Sequence, residues 1–431
     1  MFQGLNLKSE FIRSVMVLTS GTVIAQIFSY AVTPILTQYF FTTEDFGELG
    51  IFLRITAFIS AIATARYELS IPLPKRDNHA FQLFWLSLRI AFWTMVGTFL
   101  FGSAYWFFSG IKWDTLYFLL LVITGSYFMI FRNIAISWAL RKENFKAISL
   151  SGILHSVTSN GLKLVAGILS IGSIGLIIAT VVGVTVSCMS FFKDFLNVKK
   201  AGLNNRSGAK MKVLSKQYRE FPRVNLPHIL IDNGRELLIA FCVIEFFSES
   251  VFGSYDLSFR MLKIPLMLVG TSIGQVFFQK ISKMYAEKRK LYPTLKKTVG
   301  LLFILSIVPF SIIFFFGEPI FVFVFGDNWV LAGQISEILA PWLMINFVTS
   351  PISTLPLVLE KQVLFFWLGM GGTAIQIIGF GLLPFLHLRG YFDIHTLFYM
   401  ISLSMTFYLV ILTIIKISLT LKYDNNQAVK N

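Results

Sequence analysis

The sequence predicts an all-α polytopic membrane protein, with twelve transmembrane helices in two six-helix lobes and no soluble domain. Three observations predict this class. The first is composition: 55% of the 431 residues are hydrophobic and 14% are charged, with 46 phenylalanines, which lies outside the range of soluble domains. The second is that apolar runs of about twenty residues or more, each long enough to cross ~30 Å of hydrocarbon, recur along the whole chain. The third is the distribution of basic residues across the two sides that those runs define.

The runs lie at 14–40, 46–73, 80–108, 115–140, 147–170 and 173–195, then at 219–245, 251–279, 295–316, 332–358, 363–386 and 394–421. The first follows a short polar stretch, "MFQGLNLKSEFIRS", and lacks a small-residue cleavage pattern, so it is expected to be retained as a helix. The second carries Arg54. The third and fourth carry Arg89 and Arg132 within two or three turns of one boundary, where a long side chain reaches the headgroups. Lys163 stands near the middle of the fifth. Cys188 and Cys242 fall inside the sixth and seventh runs, a placement that suits packing rather than a disulfide framework or metal cluster.

Between the sixth and seventh runs lies the longest polar segment. It divides the chain into a lobe at 1–195, a basic linker at 196–218 and a second lobe at 219–431. From Met211 to Tyr218 the linker mixes lysines with Met, Val and Leu. That pattern fits an amphipathic helix on an anionic membrane surface, and equally the largest positive loop. The seventh run, "FPRVNLPHILIDNGRELL", places Pro222, Pro227 and Gly234 where each weakens the helical ladder. Such backbone is tolerated at membrane depth where it lines a cavity or meets other protein; an ordinary proline kink is the alternative. The same run carries Asp232, Arg235 and Glu236, the eighth carries Asp256, Arg260 and Lys263, and the tenth carries Glu337.

Of the 37 Lys and Arg residues, seven lie deep inside runs, away from the ends on the N-terminal side (Arg54, Arg89, Arg132, Lys163, Arg235, Arg260 and Lys263), and only Lys112 and Arg389 fall on the side opposite the N-terminus. The rest, the C-terminal lysines included, share the N-terminal side. This bias makes that side the cytoplasm, with both termini inside. It also accounts for the net charge of +15 without a nucleic-acid partner. An offset of 206 residues aligns Phe40-Phe41 with Phe246-Phe247, Phe46-Gly47 with Phe252-Gly253 and Arg54 with Arg260. Runs one and seven cross in the same direction, so the halves read as a parallel repeat about an axis along the membrane normal.

Enzyme signatures are absent: no phosphate-binding glycine loop, no H-E-x-x-H and no C-x-x-C. His79, His155, His228, His387 and His395 form no ligand spacing. The expectation is a protein that is not an enzyme and has neither metal nor cofactor. A membrane glycosyltransferase or polysaccharide polymerase is the enzyme alternative, disfavoured by outer loops of only a few residues.

Charge inside the membrane is a functional signal by default. Arg54 starts about 12 Å below the outer end of its run at ~1.5 Å per residue, which is too deep for easy snorkelling, so it requires a partner. Arg260 has Asp256 one turn earlier, in the favourable order for a local pair. The other reading has Arg54 and Arg260 facing a water-filled cavity between the halves. Guanidinium groups in low dielectric would draw a diphosphate there, since the planar fork binds two oxygens at once.

The runs "RYELSIPLPK" (66–75), "FPRVNLP" (221–227), "GSYDLSFRMLKIPLMLVGTSIGQVF" (253–277), "FGDNWVLAG" (325–333) and "LAPWLMINFVTSPIS" (339–353) together resemble the polysaccharide-synthesis branch of the multidrug, oligosaccharidyl-lipid, polysaccharide (MOP) exporter superfamily, and O-antigen-type flippases in particular. The resemblance implies a V of two lobes with a cationic cavity. It implies an undecaprenyl-diphosphate-linked oligosaccharide taken up at the inner leaflet of the bacterial inner membrane and released outside by alternating access. Family arginines in helices two and eight fall at Arg54 and Arg260. Lys163 and Arg235 are added here as further cavity cations, and Asp232, Glu236 and Asp256 as candidates for ion coupling. The expected partners are the lipid-linked substrate, membrane lipids and other polysaccharide-assembly membrane proteins, with the chain itself a monomer. A multidrug-type small-molecule exporter is the transport alternative; the excess of cations argues for an anionic cargo.

Overall fold

Length and apolar periodicity put every regular segment of this chain in helix. In the computed structural model, which describes residues 23–108, 113–194, 206–388 and 393–430 together with 21 and 110, all regular structure is helical. The start of the first apolar run, Lys112, Arg389 and the first part of the linker lie outside the described residues. Among the described residues seven helices are long and apolar enough, by length and composition, to cross a membrane: Asp77–Phe108, Thr115–Arg141, Ser173–Asp194, Tyr292–Phe325, Asp327–Thr349, Val363–Pro384 and Ile394–Gln427. The chain divides into two compact units, Met1–Leu237 and Leu238–Asn431.

The first unit contains α1 (23–39), α2 (Thr43–Ile62), α3 (Asp77–Phe108), α4 (Trp113–Arg141), α5 (Phe145–Ile168), α6 (Ser173–Cys188), α7 (Gly208–Gln217) and the first half of α8 (Leu226–Phe246). Several of its largest apolar side chains point outward: Phe92, Trp93, Phe101 and Phe108 of α3 are all exposed. Small residues fill the interior. Ser151, Ser156, Ser159 and Asn160 of α5 are buried, and α6 turns Gly175, Ala179 and Gly183 inward. A Cβ on Gly183 would stand 2.7 Å from the Ser159 Cβ, so α5 and α6 approach at backbone distance. Such small-residue packing replaces the hydrophobic drive that lipid surroundings remove. Polar side chains then tie α1 to α5: Asn160 Nδ2 donates to Ser29 Oγ (2.9 Å) and Ser156 Oγ to the Ala25 carbonyl (2.7 Å).

The amphipathic stretch of the linker forms α7 and docks on protein. Leu214 is buried against α3, the Ser207 amide donates to Gln82 Oε1 (3.1 Å), the Arg206 guanidinium lies 3.3 Å from the Trp85 ring centroid, and the Tyr67 hydroxyl donates to the Ser215 carbonyl (3.0 Å). The "RYELS" segment is a tight 3₁₀ turn entered through a left-handed Arg66. Its Glu68 is buried, accepting from Thr64 and pairing with Arg66 (3.2 Å).

The second unit holds the rest of α8, then α9 (Glu249–Leu262), α10 (Thr271–Ala286), α11 (Tyr292–Phe325), α12 (Val330–Thr349), α13 (Gln362–Leu388) and α14 (Ile394–Lys430). Two sequence runs are interrupted, and a third helix breaks where its run ends. The run at 251–279 splits after α9 into a π-helical turn at Leu266–Gly270, directly after Pro265. The run at 332–358 ends its helix at Thr349, before Pro351, and resumes as one turn at Leu355–Val358. α11 breaks at Phe316, whose φ and ψ of −135° and 20° are not helical; Gly317 and Pro319 follow, a start suited to a new helix.

That new helix start is capped from α12. Glu337 Oε1 accepts from the Glu318 amide (2.8 Å), and Gln334 Nε2 donates to Glu318 Oε2 (3.0 Å). Glu337, conspicuous in the sequence as an intramembrane acid, thus satisfies orphan backbone at a helix start. Gly333 makes the approach possible, since a Cβ there would lie 2.5 Å from the Glu318 Cα. Gly333→Ala is therefore expected to cost about 1–3 kcal/mol of stability and to lower the Tm of detergent-purified protein. Gly369→Ala, whose added carbon meets nothing within 4 Å, is expected to leave it unchanged. Thermal-shift measurement of both variants checks the pair.

Two charges on α14 clamp helix ends in the same unit. Lys416, 3% exposed, donates to the Thr349 carbonyl at the end of α12 (3.2 Å), and buried Asp424 accepts from the Leu291 and Tyr292 amides at the start of α11 (2.7 and 3.0 Å). Each sign matches the helix dipole it faces. Lys416 reads from the sequence as one of the C-terminal cytoplasmic lysines; the fold buries it among α12 and α14 because an accepting carbonyl stands there.

Candidate functional site

α2 starts where its sequence says it should. Thr42 and Asp45 form a capping box, with the Thr42 amide donating to Asp45 Oδ2 (2.8 Å) and the Asp45 amide to Thr42 Oγ1 (3.3 Å). One face of α2, with Phe46, Leu49 and Phe52, is buried, and Phe52 meets Phe118 of α4 edge-on. Arg54 is partly buried on this helix. Its Nη1 donates to the Gly50 carbonyl (3.3 Å), and its Nη2 stands 4.0 Å from Glu236 Oε2 on α8. The partner that its depth requires is a carboxylate from the seventh apolar run.

The backbone of that run explains how Glu236 comes to be there. Pro222 lies in a π-helical turn at Phe221–Asn225, which packs against the 3₁₀ turn at Tyr67–Ser70, and α8 starts just beyond it. Gly234 of α8 faces the Phe58 ring of α2, where an added Cβ would make ordinary contact at 3.8 Å. The charges then alternate along α8. Arg235 Nη2 donates to Glu236 Oε1 (3.0 Å), Arg235 Nη1 is 4.0 Å from Asp232 Oδ1, and Asp232 Oδ2 is 3.2 Å from His228 Nδ1. Arg54, Arg235, Asp232 and Glu236 are thus one group inside the first unit, two cations against two carboxylates. A 4.0 Å contact is an ion pair without hydrogen-bond geometry.

In the second unit α9 is capped by Ser248, whose hydroxyl accepts from the Val251 amide (3.2 Å). Its buried face carries Tyr255, stacked on Phe259 and Phe398 and tilted against Phe380, which fixes the helix against α13 and α14. The Ser258 hydroxyl donates to the Ala332 carbonyl (2.5 Å). Arg260 pairs with Asp256, the i to i+4 partner expected from the sequence; Asp256 is 8% exposed and Arg260 34%. Lys263 Nζ lies 3.9 Å from the Phe259 ring centroid, a cation–π arrangement. Arg260 sits at the last turn of α9, where a cation also faces the negative helix end.

Lys163 stands half-buried on α5, and both it and Arg132 act electrostatically on His155. Arg132 donates from Nε to Ser151 Oγ (3.0 Å). Among the described residues no group of His, Cys, Asp and Glu is placed to hold a metal ion. Sequence reasoning passed over two charged clamps, Lys416–Thr349 and Arg141–Asp77. Arg141 donates to Asp77 Oδ1 through Nη2 (2.7 Å) and to the Pro74 carbonyl through Nη1 (2.6 Å), tying the cytoplasmic-reading ends of α3 and α4 together. A lysine inside the run at 394–421 was the available signal for the first.

A family model described as polysaccharide biosynthesis protein matches residues 38–333. No curated protein sequence matches the chain significantly. Three solved structures share the fold across nearly the whole chain. An inward-facing multidrug resistance MATE family transporter of the MOP superfamily superposes with TM-score 0.67 at 15% identity, covering 96% of this chain and 98% of that one. The lipid II flippase MurJ in an inward closed conformation gives 0.63 at 14% identity, with the same coverage. A MATE in complex with MaL6 gives 0.57 at 14% identity, covering 95% of each. The chain therefore belongs to the polysaccharide biosynthesis protein family and shares the fold of these membrane transporters.

Proposed function

We propose that the chain is a flippase that moves an undecaprenyl-diphosphate-linked oligosaccharide from the inner to the outer leaflet of the bacterial inner membrane by alternating access, without enzymatic chemistry. The observation that carries the reading is Arg54, a mid-helix cation whose Nη2 stands 4.0 Å from the Glu236 carboxylate, in a chain whose family is described by polysaccharide biosynthesis. A diphosphate oxygen competes well with such a contact, because arginine binds phosphate through two parallel N–H groups. Arg260 offers the same chemistry from the second unit, with a third of its side chain exposed. Lys163 and Arg235 extend the positive field, and Asp232, Glu236 and Asp256 are the carboxylates available for proton uptake. The isoprenoid tail remains in lipid, so only the polar head needs a path through protein.

Twelve spanning helices in two six-helix lobes, with both termini cytoplasmic, complete the proposal. Reporter fusions after Asp45, Gly110, Gly172, Ser248 and Asp327 are expected to report outside, and fusions after Lys75, Lys142, Lys210 and Lys290 inside. One reproducible inversion breaks the topology.

The fold likeness to a multidrug resistance transporter supports a second reading, export of a small molecule. Deleting the gene separates the two. Under the flippase reading a lipid-linked sugar builds up at the inner leaflet and surface glycan is lost. Under the exporter reading the glycan is unchanged and drug sensitivity rises.

A further inference from the structure

Between α3 and α4, wholly within the first unit, lies a groove of about 580 Å³, within the ~300–1,000 Å³ typical of small-molecule sites. Ala91, Met95 and Phe99 of α3 and Ile123, Tyr127 and Phe131 of α4 form its walls. Its polar side chains are few. Thr124, on the α4 wall, donates its hydroxyl back to the Leu120 carbonyl (2.8 Å) and so asks nothing of a ligand. The groove is a separate place from the Arg54 group, because α4 meets α2 through another face: Gly125 sits against Phe52 and Thr56.

Both helices that wall the groove are membrane spans by length and composition. Its lining residues begin at Leu88, about 16 Å along α3 from Asp77 at ~1.5 Å per residue, which places it at hydrocarbon depth. Water has no reason to fill a slot of that chemistry, and a sugar would find only the Tyr127 hydroxyl and the Thr124 oxygen as hydrogen-bond partners there. A flexible hydrocarbon chain gains about 0.8 kcal/mol for each CH₂ it buries away from water, but in a bilayer that gain is already met; a concave slot adds only contact and shape. Charge therefore supplies the selectivity. Arg89 follows Leu88 directly, is exposed, and shares a helical stripe with the groove-lining Phe92, Val96 and Phe99. From that position its side chain extends toward the headgroups at the Asp77 end of α3.

We propose that the α3–α4 groove is a lipid site: it holds one acyl chain of an anionic phospholipid from the leaflet at the Asp77 end of α3, with the phosphate drawn to Arg89. This site does not depend on the transport reading.

The test uses the full chain in lipid nanodiscs carrying trace phosphatidylglycerol, phosphatidylethanolamine or undecaprenyl phosphate, each with a photoactivatable group near the end of its chain, and maps the labelled peptides by mass spectrometry. Label from phosphatidylglycerol is expected to concentrate on residues 88–99 and 123–131, at about fivefold the level from phosphatidylethanolamine, as one basic residue at an anionic headgroup provides. Arg89→Gln is expected to remove that preference. Val96→Trp, and independently Thr124→Trp from the opposite wall, should fill the groove and abolish the label there while other lipid-facing peptides keep theirs. Thr124 is exposed, so its replacement spares the packed core if Val96→Trp does not fold. Equal labelling of all lipid-facing helices overturns the proposal, as does label that survives both tryptophans. Preferential capture of the undecaprenyl chain, uncompeted by phosphatidylglycerol, overturns it in favour of a substrate-tail site.

Discussion

Arg54→Ala is expected to abolish display of the surface glycan while the protein reaches the membrane in normal amount. Loss of a desolvated guanidinium contact to a charged partner costs about 2–5 kcal/mol, or roughly 30- to 4,000-fold in affinity. Normal abundance is expected because Glu236 does not lose all compensation: Arg235 still donates to it at 3.0 Å. Arg54→Lys should restore activity only in part, since the ammonium keeps the charge and loses the bidentate fork. The combination of Arg54→Gln with Glu236→Gln separates two roles. If Arg54 only neutralises Glu236, removing both charges recovers function; if it binds diphosphate, the double variant stays inactive. Quantitative glycan immunoblotting beside a membrane-protein blot reads all of these, and full glycan display from well-expressed Arg54→Ala removes the anion-binding role.

The second large effect concerns Arg260, and here stability and transport should part company. Arg260→Gln leaves Asp256, 8% exposed, as a buried carboxylate without its cation, a change that costs about 3–5 kcal/mol, so the single variant should be scarce in the membrane. Adding Asp256→Asn removes the stranded charge and is expected to bring abundance back near the wild-type level. Transport should remain defective in that double variant, because the neutral pair offers nothing to a phosphate. A double variant that is both abundant and fully active would reduce Arg260 to a structural counter-charge.

Much of this protein was legible in its sequence for reasons that are local. Burial in hydrocarbon forces helix, so the class follows from hydropathy alone. The irregular backbone at Pro222 follows from a proline's missing donor, whereas the helix at Leu226–Phe246 runs on through Pro227 and Gly234, the other two positions that the sequence marks as weak. The Asp256–Arg260 pair follows from a spacing of four residues on one helix, and the need of Arg54 for a partner follows from its depth.

What required the tertiary structure was every choice among distant candidates. Depth says that Arg54 must be compensated, but only the tertiary structure brings Glu236, of the available acids, to 4.0 Å from its guanidinium. Glu337 is conspicuous as an intramembrane carboxylate in the sequence, yet its oxygen turns out to cap a helix start created by the break at Phe316. Lys416 reads as a cytoplasmic lysine until α12 ends at a carbonyl beside it. The α3–α4 groove has no sequence signature at all, because in a membrane protein the residues facing a neighbour, a cavity and the lipid are equally apolar. Composition determines that a segment belongs in the membrane; the geometry of helix against helix decides what each of its faces meets.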